Sequence, residues 1–254
     1  MTEWSAFFIV CPLVFVASFV DAIGGGGGLI SLPAYLIAGL PAHVAIGSNK
    51  LSSCIGTAIS TIRFLKNGYV KLKLALLSAV FALVGSTIGA NISLLIDEKI
   101  LKYLMLIILP IVAYFVLKNK NLGDNELTGT RSVRAVYIIS LTAAMTIGMY
   151  DGLYGPGTGT FLILVLVSIA RMDMRTAAGH TKVINFSSNV AALITFILNG
   201  TINYPLAACA AVFSIAGNYI GSGLVLKNGQ KIVRPIIFIV LALLFIKVVP
   251  DLLR

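Results

Sequence analysis

The chain has 254 residues, 58% of them hydrophobic and 11% charged, with a formal net charge of +10. Soluble domains are about half apolar and a quarter charged, and a soluble protein this short has no interior large enough to hide so much apolar surface, so lipid is the expected solvent. The basic residues are spread over short loops, which fits the setting of membrane orientation and argues against a nucleic-acid partner.

In chain order, the first apolar run covers 4–23, and Met1-Thr2-Glu3-Trp4 ahead of it lacks the basic stretch of a signal peptide. The run is therefore expected to stay as a membrane segment. Five consecutive glycines, Gly24 to Gly28, follow; they cannot make a stable helix interior. A short apolar run over 28–39 comes next, then 43–65, long enough to span but noticeably polar, then the apolar 74–96 and 100–117. Residues 118–134 are hydrophilic and divide the chain near its middle. Beyond them come 133–151, a second glycine cluster (Gly155-Pro156-Gly157-Thr158-Gly159), a short run over 158–170, the polar 175–198, and the apolar 203–226 and 232–250. A membrane-spanning helix takes about 20 residues. The two short runs therefore read as half-helices, re-entrant segments or short tilted spans.

The chain repeats itself at a spacing of 130–132 residues. Asp21 with Gly24 to Gly28 recurs as Asp151 with Gly155 to Gly159, and Ala45-Ile46-Gly47-Ser48-Asn49-Lys50 recurs as Ala177-Ala178-Gly179-His180-Thr181-Lys182. Gly68 recurs as Gly200, and Gly85/Gly89 as Gly217/Gly221. Four matches in one order mean two copies of one unit: repeat 1 over 1–117, a linker over 118–132, repeat 2 over 133–254. Arg63, Lys66, Lys71 and Lys73 mark one loop of the first copy as cytoplasmic, whereas Lys227, Lys231 and Arg234 mark a non-equivalent loop of the second. Equivalent loops thus fall on opposite sides, which inverts the repeats and requires an odd number of crossings per copy. The expected fold is an all-α polytopic membrane protein with about eight long helices and two short ones, a common carrier architecture.

The glycine clusters are the first candidate site. Unwound backbone at membrane depth survives where protein buries it or water reaches it, and the half-helix that follows offers amide donors and a positive dipole end to an anion. That assigns Gly25, Gly26, Gly27 and Gly28 in one copy and Gly157, Thr158 and Gly159 in the other; a tight turn for close packing is the competing role. No Gly-Lys-Ser/Thr follows the glycines, so they are no nucleotide loop. Lys50 and Lys182 lie two to three turns into their helices, where a charge faces a cavity or a partner unless it snorkels to an interface. Two ammonium groups point to a small anionic solute. Asn49, Ser53, His180, Thr181 and Asn185 stand close by to donate hydrogen bonds, or to glue helices together; His180 has Ser48 as its counterpart. Asp21 and Asp151 are the carboxylates within long apolar segments. Either they carry protons or a coupling ion, or they cap or pair with Lys50 or Lys182. Cys11, Cys54 and Cys209 are scattered, without metal-ligand spacing, and read as small buried hydrophobes.

At these residues the sequence resembles the sulfite exporter TauE/SafE family, the toluene sulfonate uptake permeases. The likeness rests on the paired glycine segments Asp21–Pro33 and Asp151–Thr160 and on Gly47-Ser48-Asn49-Lys50 with Gly179-His180-Thr181-Lys182. It implies a multi-pass permease of a bacterial or archaeal plasma membrane that moves sulfur oxyanions or organosulfonates, with no metal and no cofactor. A passive anion channel and an accessory membrane subunit are the alternatives. An enzyme is not expected, since no His-Glu-x-x-His or Gly-x-Ser-x-Gly motif is present. A homo-oligomer is left open.

Overall fold

Apolar runs interrupted by glycine become eight α-helices, with no strand among the described residues. The computed structural model describes residues 3–97 and 131–229, with isolated positions at 100, 103, 231, 232 and 235. The predicted segments at 100–117 and 232–250, most of the linker, and hence the repeat boundaries lie outside the described residues. The helices are α1 (Glu3–Gly24), α2 (Gly28–Ile37), α3 (Ala42–Lys66), α4 (Leu72–Leu95), α5 (Val133–Leu153), α6 (Thr158–Leu164, extended by a π-helical turn over Val165–Ile169), α7 (Met174–Leu198) and α8 (Tyr204–Asn228). Side-chain caps start three of them: Ser132, Asp173 and Asn203 each accept the amide of the residue three further on.

α1, α4, α5, α7 and α8 are long and apolar enough to cross a bilayer. The outer helices turn large apolar side chains outward, among them Phe8 on α1, Leu76 on α4, Ile138 on α5 and Val212 on α8. α3 and α7 instead bury polar rows, including Ser48, Asn49, Lys50 and Ser52 on one and His180, Thr181, Lys182 and Asn185 on the other. Those two helices, the polar candidates of the sequence, pack against each other and are flanked by α8 and α4 respectively.

The packing obeys the repeat. A Cβ at Gly85 or Gly89 of α4 would run into the carbonyls of Met145 and Met149 on α5, and one at Gly217 or Gly221 of α8 into those of Phe15 and Phe19 on α1. The glycines of the two contacts are 132 residues apart and their carbonyl partners 130. Glycine lets the backbones meet, so the first helix of each copy runs parallel to, and in contact with, the fourth helix of the other. Gly47 packs on the Thr201 carbonyl and Gly179 on that of Tyr69, which puts the start of α3 beside the α7–α8 turn and the start of α7 beside the α3–α4 turn. α3 and α7 are therefore antiparallel.

The short runs are return limbs. Gly27 lies against Ala17 and Asp21, and Tyr35 shares a cluster with Val10 and Cys11, so α2 doubles back along α1. α6 does the same along α5, where the Tyr150 hydroxyl donates to the Pro156 carbonyl and its ring meets Phe161. Ten residues of helix make about 15 Å, half of a hydrocarbon core of about 30 Å. Each hairpin begins and ends toward the same face. Arg63, Lys66, Lys71, Arg171, Arg175 and Lys227 gather toward one end of the bundle, where Arg175 reaches both the Tyr69 hydroxyl and the Lys227 carbonyl.

Candidate functional site

Both breaks fall where the glycines predict. Gly25 and Gly26 adopt positive φ (73° and 87°) between α1 and α2, as do Gly155 and Gly157 (95° and 84°) between α5 and α6. The breaks touch each other: a Cβ at Gly25 would lie 2.2 Å from the backbone of Gly159 and Thr160, and the Thr160 hydroxyl donates to the Gly24 carbonyl at 3.0 Å. Only glycine permits so close a crossing of two backbones.

The lysines and carboxylates pair across the repeats. Lys50 Nζ on α3 lies 2.8 Å from Asp151 Oδ2 on α5 and donates to Asn189 Oδ1 on α7 at 3.1 Å. Lys182 Nζ on α7 lies 2.7 Å from Asp21 Oδ2 on α1 and also donates to the Asp21 carbonyl. Of the two roles open to the carboxylates, ion pairing with lysine is present in the structure, and in each case the partner comes from the other copy. The four charges sum to zero. The Ser188 and Thr158 hydroxyls sit 2.6 and 2.9 Å from the Asp151 carboxylate; a carbonyl competes for each proton, but the charged acceptor makes the stronger bond. Asp21 Oδ1 accepts the Gly27 amide at 3.2 Å.

Between the pairs lies a cavity. Of the predicted residues, Asp21, Gly26, Gly27, Gly28, Asn49, Lys50, Ser53, Asp151, Gly157, Thr158, Gly159 and Asn185 line it. Gly25 is behind the wall at the backbone crossing, and Lys182, fully buried, stands behind Asp21. His180 and Thr181 are off the wall. His180 Nε2 accepts the Lys71 amide at the start of α4, just as Ser48 Oγ accepts the Asn203 amide at the start of α8. Lys71 and Asn203 are again 132 apart, so the two side chains do the same job. Ala17, Ser18, Ser31, Thr57 and Asn218 also line the cavity, as do Gly155 and Asn189. Thr57 was readable: Lys50, Ser53 and Thr57 share a helix face at i, i+3 and i+7, as do Lys182, Asn185 and Asn189. Cys11 and Cys209 stand 3.3 Å apart, a proximity their separation in sequence conceals.

The space open to the centre of a water-sized sphere is about 30 Å³. One water needs about 10–15 Å³ on that measure, so the cavity has room for a few heavy atoms. Inverted halves, paired broken helices and a small polar cavity between them are the parts of a multi-pass membrane permease. The family model for the sulfite exporter TauE/SafE matches residues 10–248, and the chain belongs to that family. It is 35% identical over 238 residues to a probable membrane transporter protein, ORF9, of Sinorhizobium, covering 93% of this chain and 90% of the relative. It is 36% identical over 239 residues to a probable membrane transporter protein of Haemophilus influenzae, covering 93% and 92%. To the probable membrane transporter protein YfcA of Escherichia coli K12 it is 32% identical over 261 aligned positions, covering 99% and 95%. No solved structure matches the chain.

Proposed function

We propose that the protein carries a small sulfur-containing anion (sulfite, another sulfur oxyanion or a short organosulfonate) across a bacterial or archaeal plasma membrane, by alternating access between its repeats and coupled to protons. The observation that carries this reading is the Lys50 ammonium on the wall of a small cavity that both helix breaks also line. The backbone amides of Gly26 and Gly28, the ammonium and the amides of Asn49, Asn185 and Asn189 supply donors to replace an oxyanion's lost water. The neutral sum of the four charges means that an anion entering alone would leave the site negative. A proton entering with it restores the balance, which is why coupling to protons belongs to the proposal. The family's name supports the choice of sulfur oxyanions.

The test is uptake of labelled sulfite, sulfate and methanesulfonate into proteoliposomes, with and without a pH gradient. Lys50→Met combined with Asp151→Asn removes both charges together, so that no unpaired one is left buried. Losing a charge-assisted hydrogen bond of about 1.5–3 kcal/mol weakens binding by about 10- to 150-fold, and flux at sub-saturating anion should fall by the same factor. Wild-type flux in the double variant would overturn the role of Lys50, and flux that merely follows the gradient of the anion would make the protein a channel.

A further inference from the structure

The two half-sites are built from equivalent positions, yet they are not equally complete. Around Asp151 stand Lys50 and the hydroxyls of Ser188 and Thr158. The positions equivalent to Ser188 and Thr158 in the other half, by offsets of 132 and 130, are Gly56 and Gly28, which have no hydroxyl to offer. Asp21 is left with Lys182 and one backbone amide. Its side chain is 15% exposed against 3% for Asp151, and it faces the cavity. Packing fixes the difference. A Cβ at Gly56 would lie 2.1 Å from Ser214 Oγ, and one at Gly28 would lie 3.1 Å from the Pro156 Cα.

We infer that Asp21 alone takes up the coupling proton, while Asp151 stays charged as a fixed strut for Lys50. This rests on the function proposed above and assigns the proton within it. The oxygens of Asp151 are occupied by Lys50 and two hydroxyls. Asp21, wetter and short of donors, can accept a proton from cavity water at a carboxylate oxygen. The four charged groups then sum to one positive charge, which an anion in the cavity balances: one proton and one negative charge enter together. The charged groups around Asp21 are Lys182 on α7 and, across the cavity, Lys50 on α3 with Asp151 on α5. From α2, α6 and α8 it is faced by backbone amides, Thr158, Ser31 and Asn218, none of which titrates.

The experiment measures methanesulfonate and sulfate binding by calorimetry on purified protein from acid to alkaline pH, together with proton uptake by a pH-sensitive dye in weak buffer. Neither probe changes its own charge over that range. In the wild type, affinity for methanesulfonate should fall about tenfold per pH unit once Asp21 is deprotonated, with close to one proton taken up per methanesulfonate. Asp21→Asn, fixed in the neutral form, should bind without proton uptake and without pH dependence, and Asp21→Glu should restore both. A slope that survives in Asp21→Asn, or one abolished by Asp151→Asn but not by Asp21→Asn, overturns the assignment. If Asp21→Asn does not fold, infrared difference spectra of the wild type decide: methanesulfonate must raise one protonated-carboxyl band, and Lys182→Arg must shift its frequency. A band indifferent to Lys182→Arg, or no band at all, refutes the assignment. Binding and flux in the wild type without proton uptake sink this inference and leave anion transport standing, whereas a wild type that binds neither probe overturns both.

Discussion

Replacing Lys50 by Met should cost far more than a surface lysine would, and replacing Asp151 by Asn as well should recover much of the loss. The pair is 2.8 Å apart with both side chains at least 97% buried. At an effective dielectric near 20, two unit charges about 3 Å apart attract by about 5–6 kcal/mol, most of it offset by desolvation of both groups. Removing one partner strands the other, at a cost of about 3–5 kcal/mol, so the double-mutant cycle should return a coupling of about 2–3 kcal/mol. Because Asp21 is wetter, the Lys182/Asp21 cycle should return less, about 1–2 kcal/mol. The decisive cycle is Lys50→Met with Asp21→Asn. These two residues belong to the same copy, yet their coupling should be smaller than that of either crossed pair. Unfolding in mixed micelles provides the free energies. Strong coupling within one copy, or none between copies, would refute the crossed pairing.

Gly89→Ala should push α4 off α5, because its Cβ would start 1.9 Å from the Met149 carbonyl oxygen; overpacking of this kind costs about 1–3 kcal/mol, and Gly221→Ala at the equivalent contact should act alike in the same micelle assay. His180→Ala and Ser48→Ala should each cost about 1 kcal/mol for one lost hydrogen bond, and a change in anion affinity beyond a few-fold in His180→Ala would put the ring in the site after all. Copper–phenanthroline should join Cys11 to Cys209, which already touch, and leave Cys54 free, as mass spectrometry of the digest can check; failure to cross-link would separate α1 from α8.

The breaks were legible because glycine runs are incompatible with a helix interior; length left the short runs as half-helices, re-entrant segments or short tilted spans, and the packing of α2 on α1 and of α6 on α5 decides for return limbs. The antiparallel relation of the copies was legible from loop charge. The sequence named Lys50, Lys182, Asp21 and Asp151 but left open how they combine, since an offset relates positions and says nothing of which copy a side chain leans toward. That depends on α1 lying against α8 and α5 against α4, contacts set by the shapes of glycine faces. His180 was misleading for a related reason. Its chemistry differs from that of Ser48, and only the shared partner, an amide at the start of a neighbouring helix, reveals their common task. Asn218 and Ser18 come to the cavity from the outer helices, whose apolar composition masks them.

The exchange of counter-charges has a consequence for how such a chain could have arisen. A half-length protein with one lysine and one aspartate could not satisfy either by itself in this geometry. Two molecules would have to enter the bilayer facing opposite ways and swap partners before each became neutral. Joining two such copies would hold the opposed pair in a single strand, in which the two carboxylates need not keep the same neighbours: Asp151 has hydroxyls at positions where Asp21 has glycines.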